Sequence, residues 1–236
     1  MFQFDSNDLD RRRAQVLDLI RGTVTVSVQA PDGHPMRDTH TLTRVARACV
    51  AGGSRAIRCG GYGGIQDVEA IAQAVDVPVF GLTKEGGEGV YITPTVESVR
   101  QLAAAGAAVI CADATDRPRP DSSTYADLVE ECHRLNVLAM ADCSTPEDML
   151  RAHQCGADII STTLAGYTES RAKTAGPDVE CLADGRARCG QEAFIIGEGR
   201  FASREDVQAG RASGADAIII GTAITDPAWI TRQFNS

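Results

Sequence analysis

EAFIIGEGRFAS, residues 192–203, runs from a short apolar segment into a glycine-flanked glutamate and then a polar helix start; ADAIIIGTAIT, residues 215–225, repeats the arrangement. Each reads as a buried strand that ends in a tight turn and hands over to a helix. Six further runs of the same kind precede them: TVTVSVQ (23–29), RAIR (55–58), VPVFGL (77–82), AAVICAD (107–113), NVLAMAD (136–142) and ADIIST (157–162). Segments with helical spacing, rich in Ala, Leu, Glu and Arg, follow the strands near 39–51, 65–75, 95–105, 121–134, 145–154, 178–189, 203–212 and 226–233. Gly106-Ala107, Gly156-Ala157 and Gly214-Ala215 stand between helix and strand, where glycine suits a left-handed C-cap. Eight βα units without a GxGxxG turn after the first strand predict a closed (β/α)₈ TIM barrel rather than an open doubly wound sheet, with an early helix near 8–21 covering its bottom.

The chain has 236 residues, 43% of them hydrophobic, which is enough for one large core. No linker or charge block divides it, so residues 1–236 are expected to form a single domain. KEGGEGV (84–90) reads as a mobile loop over the top of the barrel. The net charge of -9, with scattered Lys and Arg, argues against nucleic-acid or anionic-membrane partners. No apolar run approaches the roughly 20 residues that span a bilayer, and the polar start MFQFDSNDLDRRR lacks the apolar core of a signal peptide. A cytoplasmic location is expected. Eight cysteines form no CxxC pair, and they read as reduced, mostly packing thiols. Cys59, Cys111 and Cys143 fall near strand ends, as pocket-lining and oxidation-sensitive candidates.

Strand parity selects the candidate site. Thr25, Ser27 and Gln29 share the inward face of the first strand, and the same parity aligns Arg58 with Ala56, Lys84 with Leu82, Asp113 with Cys111, Asp142 with Met140 and Glu198 with Ile196. Ionisable groups therefore converge at the C-terminal ends of the strands, where barrels carry their chemistry. A lysine and a carboxylate facing one cavity can act as base and acid on a carbon beside a carbonyl, and Lys84 and Glu198 fit best. Arg58 and Asp142 either orient substrate hydroxyls or pair with each other. Asp113 caps its loop or binds Arg117, behind the primary contacts.

Barrels commonly seat phosphate between the loops after the seventh and eighth strands. Here Gly199 and Arg200 on one side, and Gly221, Thr222 and Ala223 on the other, form an expected anion nest. His34, His40, His133 and His153 all occupy loop or helix positions, so no His-Asp metal cage and no cofactor is expected.

SVQA (27–30), AIRCGG (56–61), VYITPT (90–95), ADATDRPRP (112–120), MADCST (140–145), STTLAGYT (161–168), GEGR (197–200) and GTAITDP (221–227) together resemble the N-acetylmannosamine-6-phosphate 2-epimerase family, in order and from about residue 20 onward. The resemblance implies interconversion of N-acetylmannosamine 6-phosphate and N-acetylglucosamine 6-phosphate in sialic-acid and aminosugar catabolism. It implies Lys84 and Glu198 as catalytic residues and Gln29, Arg58, Asp142, Thr162 and Tyr167 as substrate contacts. A homodimer is expected from the family and from the apolar segment Ala228-Trp229-Ile230. On this reading the open-chain sugar loses its C2 proton to Lys84 or Glu198 and regains one on the opposite face. A donor such as Arg58 or protonated Lys84 stabilises the enolate by about 3–4 kcal/mol. A Schiff-base lyase, another phosphate-binding synthase and a silent sugar-phosphate-binding barrel are the competing readings.

Overall fold

The computed structural model describes residues 1–86 and 89–235. Its strands are β1 (Val24–Val28), β2 (Ile57–Gly61), β3 (Val79–Thr83), β4 (Val109–Asp113), β5 (Leu138–Asp142), β6 (Ile159–Ser161), β7 (Ile195–Glu198) and β8 (Ala217–Ile220). They pair in parallel, in sequence order, and close when Thr25 of β1 meets Ile219 of β8. Between and after them run α2 (Thr39–Ala51), α3 (Gly64–Ala74), α4 (Val96–Ala104), α5 (Tyr125–Arg134), α6 (Pro146–Gln154), α7 (Val179–Cys189), α8 (Arg204–Ala212), the one-turn α9 (Thr222–Thr225) and α10 (Pro227–Phe234). All eight expected strands and all eight expected helices are present; α9 is an addition that the sequence reading lacked. The expected mobile loop at 84–90 includes Gly87 and Glu88, which lie outside the described residues.

Alternation along each strand sorts the core into two layers. Phe80, Leu82, Val109, Cys111, Leu138, Met140, Ile159, Ile196 and Ile219 fill the barrel interior, while Val26, Ile57, Val79, Ile110, Ile160, Ile195 and Ile218 pack outward under the helices. The helix α1 (Leu9–Ile20) closes the bottom, placing Val16 and Ile20 against the interior cluster. Ion pairs clamp it there, with Arg13 on Asp158 and Arg21 on Asp216. Three outer helices begin with capping boxes, Thr124 with Asp127, Thr145 with Asp148 and Ser203 with Asp206, which satisfy N–H groups that the first turn leaves unpaired.

Parity also corrects the thiol reading. Cys59 and Cys143 face outward under the helices and Cys111 lies in the barrel interior below the cavity, so none of the three lines the pocket. Burial pushes the Cys111 thiol up to about 12 and raises Cys59 and Cys143 well above the ordinary thiol value, which suppresses the thiolate that oxidants attack. Among the described residues no helix is long and apolar enough to cross a membrane.

Candidate active site

At the C-terminal ends of the strands lies a cavity of about 680 Å³, within the range of small-molecule sites. Its floor holds a buried ion cluster. Arg58, 3% exposed, donates through Nη2 to Asp142 Oδ2 at 2.6 Å and through Nη1 to Glu198 Oε1. The pairing of Arg58 with Asp142, open in the sequence, is realised, and Glu198 shares the same guanidinium. Burial works against the charge on Arg58, yet the two carboxylates hold it above the usual guanidinium range. Burial pushes the Asp142 carboxyl up to about 7 against the pull of Arg58, and the charge of Glu198 adds to the push.

Thr163 ties the two carboxylates together, its Oγ1 standing 2.7 Å from Asp142 Oδ1 and 2.9 Å from Glu198 Oε2. A hydroxyl has one hydrogen and two lone pairs, so it joins this pair whichever carboxyl carries a proton. The expected contact Thr162 lies elsewhere: it is 2% exposed, outside the cavity lining, and its hydroxyl bonds the backbone N–H and carbonyl of Glu198. It sets the height of the glutamate, while its neighbour Thr163 faces the cavity. Inward parity through Ile159 and Ser161 points to Thr163, and that signal was available in the sequence. Thr163→Val is expected to lower kcat on the order of tenfold with KM little changed, and Thr163→Ser to restore it, in steady-state assays of turnover.

Lys84 stands just beyond β3, across the cavity. Its backbone N–H donates to Gly61 O at 3.1 Å and its main chain bridges to Ile92. The next residue, Glu85, accepts from Thr83 Oγ1 at 2.5 Å and Ser98 Oγ at 2.9 Å, so the turn is pinned on both sides. The ammonium lies 4.6 Å from the ring centroid of Tyr62, a half-exposed residue that the sequence reading did not select. Burial first, then the positive charge of Arg58, lowers the Lys84 pKa, and Glu198 and Asp142 oppose that shift. Gln29 reaches the mouth because residue 61 is glycine: a Cβ there would stand 2.2 Å from Gln29 Oε1. Its Nε2 donates to Ser27 Oγ at 2.9 Å, and Oε1 has no hydrogen-bond partner among the described residues.

Gly199 and Arg200 line one side of the remaining wall, and Gly221, Thr222 and Ala223 line the other. The first hydrogen bonds inside α9 are made by Ile224 and Thr225, so the N–H groups of Thr222 and Ala223 precede the internal ladder. The guanidinium of Arg200 is turned into the β6–α7 loop, donating to Gly176 O at 2.8 Å, Ala165 O at 2.9 Å and Thr174 Oγ1 at 2.8 Å, and it stacks on Tyr167. Tyr167 lines the cavity, 46% exposed. Asp113 lies outside the lining, accepting from Thr115 and pairing with Arg117. Among the described residues no three His, Cys, Asp or Glu side chains gather closely enough to hold a metal ion.

Known proteins resemble this chain in sequence and in fold. A model of the NanE family, described as "Putative N-acetylmannosamine-6-phosphate epimerase", matches residues 42–236. A Corynebacterium glutamicum protein called "Putative N-acetylmannosamine-6-phosphate 2-epimerase" is 62% identical over 97% of this chain and 98% of its own length. A Cutibacterium acnes protein of the same description is 41% identical over 93% of this chain and 95% of its own. The solved structure of the N-acetylmannosamine-6-phosphate 2-epimerase from Clostridium perfringens superposes with a TM-score of 0.87 at 34% identity, covering 93% of this chain and 94% of that one. A thiamine phosphate pyrophosphorylase from Pyrococcus furiosus, at 13% identity and a TM-score of 0.58, shares the fold alone. With the family model spanning β2 to β8 and relatives matching almost end to end, the chain belongs to the NanE family of N-acetylmannosamine-6-phosphate epimerases.

Proposed function

We propose that this protein interconverts N-acetylmannosamine 6-phosphate and N-acetylglucosamine 6-phosphate by metal-independent proton transfer at C2, with Lys84 and Glu198 as the two proton-transfer groups. The observation that carries this reading is their placement. Lys84 follows β3 and Glu198 ends β7, four strands apart in a closed eight-strand barrel, and both line the one cavity. Inversion of a carbon needs a base on one face and an acid on the other, and residues from opposite walls meet that need.

The ring opens to the aldehyde, which acidifies the C2 proton. One group removes it, the electron pair passes into the C1 carbonyl as an enolate, and the other group protonates C2 from the opposite face. Nothing is gained or lost, and the enzyme ends with its pair in the reciprocal protonation state. Arg58 or the ammonium of Lys84 supplies positive charge toward the enolate oxygen. Gln29, Asp142, Thr163 and Tyr167 hold the sugar or the groups that face it, and the backbone around Gly199, Arg200, Gly221, Thr222 and Ala223 takes the phosphate. Thr162 acts through Glu198.

NMR of the purified protein with N-acetylmannosamine 6-phosphate in D₂O tests the proposal. The expected result is N-acetylglucosamine 6-phosphate carrying deuterium at C2. Conversion without solvent label overturns proton abstraction by exchangeable groups, and a borohydride-trapped adduct on Lys84 would instead place the protein among Schiff-base lyases. The same reading takes residues 1–236 as one catalytic domain, working in the cytoplasm in sialic-acid and aminosugar catabolism, as a homodimer. Light scattering coupled to size exclusion checks the last of these.

A further inference from the structure

Arg58 and Lys84 share a cavity and are held in different ways. Arg58 takes both nearby carboxylates, pairing with one oxygen of Asp142 and one of Glu198, while Thr163 occupies the other oxygen of each. Lys84 is left without a counter-ion. Among the described residues its ammonium makes no hydrogen bond and no ion pair, and its contact is the face of the Tyr62 ring, 4.6 Å from the centroid. The charged groups that act on it are Arg58 from β2, Glu198 from β7 and Asp142 from β5, and Tyr91, Arg200, His34 and Asp226 stand elsewhere on the cavity lining. Burial and Arg58 press the lysine toward its neutral form, with Glu198 and Asp142 opposing, and a ring face, which attracts cations, favours the charged form as well.

Tyr62 is held in place by its turn. It follows β2, lines the cavity and is half-exposed, so its ring borders both the lysine and the space open to substrate. A Cβ on the next residue, Gly63, would overlap the Asp67 carboxylate and the Arg37 guanidinium, which lie against the turn. Asp67, on α3, is fully buried and accepts from Arg37 Nη1 at 3.0 Å and Thr39 Oγ1 at 2.6 Å. On the other side a Cβ at Gly60 would overlap the Leu82 carbonyl of β3. Tyrosine and lysine thus project from adjacent strand ends whose backbones are joined, because the Lys84 N–H donates to Gly61 O at 3.1 Å.

We infer that Tyr62 is a positioning residue: the face of its ring takes the place of a counter-ion for the Lys84 ammonium and holds it at the cavity. The ring does this and the phenol hydroxyl does not, so phenylalanine can serve and an aliphatic side chain cannot. The consequence for turnover rests on the proposed role of Lys84 in proton transfer.

The chain contains two lysines, Lys84 and Lys173, so a titration of lysine side chains reads Lys84 directly. Protein carrying carbon-13 at lysine Cε is titrated by NMR as wild type, Tyr62→Phe and Tyr62→Leu, with Lys173→Arg assigning the signals and Lys173 as the control. In Tyr62→Leu, which keeps an apolar cover and loses the π face, the Lys84 midpoint is expected to fall by about 0.5–1 pH unit; in Tyr62→Phe it is expected to stay within about 0.2 unit of wild type. Steady-state kinetics with N-acetylmannosamine 6-phosphate are expected to show the alkaline limb of kcat/KM moving down with the midpoint in Tyr62→Leu, and kcat at neutral pH falling roughly three- to tenfold. An unmoved Lys84 midpoint in Tyr62→Leu, or an equal fall in Tyr62→Phe, overturns the inference even if KM rises, because a side chain that only packs against substrate leaves the titration of the free enzyme alone. A midpoint that falls in Tyr62→Leu while limb and kcat keep their wild-type values upholds the contact and removes Lys84 from proton transfer.

Discussion

Lys84→Ala is expected to lower kcat for epimerisation by a factor on the order of 10²–10⁴, with Glu198→Gln falling in the same range, because in the proposed mechanism each variant removes the proton carrier for one face of C2. The two losses differ in what survives. With Glu198 replaced, Lys84 can still exchange the C2 proton of whichever epimer presents it to that wall, so solvent deuterium enters one sugar without inversion. With Lys84 replaced, exchange shifts to the other epimer. NMR of each sugar separately in D₂O reads this out and assigns the faces; inversion at wild-type rate in either variant removes that residue from the mechanism.

The pH profile follows from the same pair. Both directions start from an enzyme holding one proton on the pair, so kcat/KM has the same bell in both directions. Loss of the last proton makes the alkaline limb, and burial plus Arg58 lowers the Lys84 pKa from the ordinary lysine value. The limb is therefore expected below pH 10.5, and to vanish from the residual activity of Lys84→Ala.

Periodicity carries the fold because each strand in a closed barrel has one face toward the axis and one toward a helix. Two apolar layers then force the pattern that the eight runs display. The same alternation brought Arg58, Lys84, Asp142 and Glu198 to one end before any contact was known. The same alternation, continued through Ile159 and Ser161, turns Thr163 toward the cavity and the expected contact Thr162 away from it. Contacts set by loops were less legible. Whether Arg200 points at a ligand or into the β6–α7 loop depends on where Ala165, Thr174 and Gly176 fold back, and no periodicity records that. His34, Tyr62 and Trp229 reach the cavity from such loops or from the C-terminal helix, for the same reason. The bridging of two carboxylates by Arg58 is a matter of register: Asp142 and Glu198 approach one guanidinium only once the barrel closes.

That bridge yields the largest expected effect on stability. Arg58→Met leaves two carboxylates facing each other, with Asp142 fully buried, and breaking such a cluster by removing one partner costs about 3–5 kcal/mol at neutral pH. The sign of the pH dependence follows from Asp142. Its carboxyl is already pushed up to about 7 by burial, and Arg58 is the main force pulling it down. Without Arg58 it rises further. A carboxyl whose folded pKa exceeds its unfolded value binds more protons in the folded state, so stability is greatest in acid and is lost as pH rises toward the folded pKa. Urea unfolding should therefore show a smaller deficit for Arg58→Met at pH 5 than at pH 8, and an equal deficit at both would mean that lost packing is the cause. Adding Asp142→Asn removes one of the stranded charges and is expected to recover much of the stability at pH 8. If Arg58 is the group that supplies positive charge to the enolate in the proposed mechanism, turnover is not recovered. A double variant restored in unfolding midpoint but slower by 10² or more than Asp142→Asn alone separates the two proposed roles of this arginine, as the counter-ion of the floor and as a stabiliser of the reacting sugar.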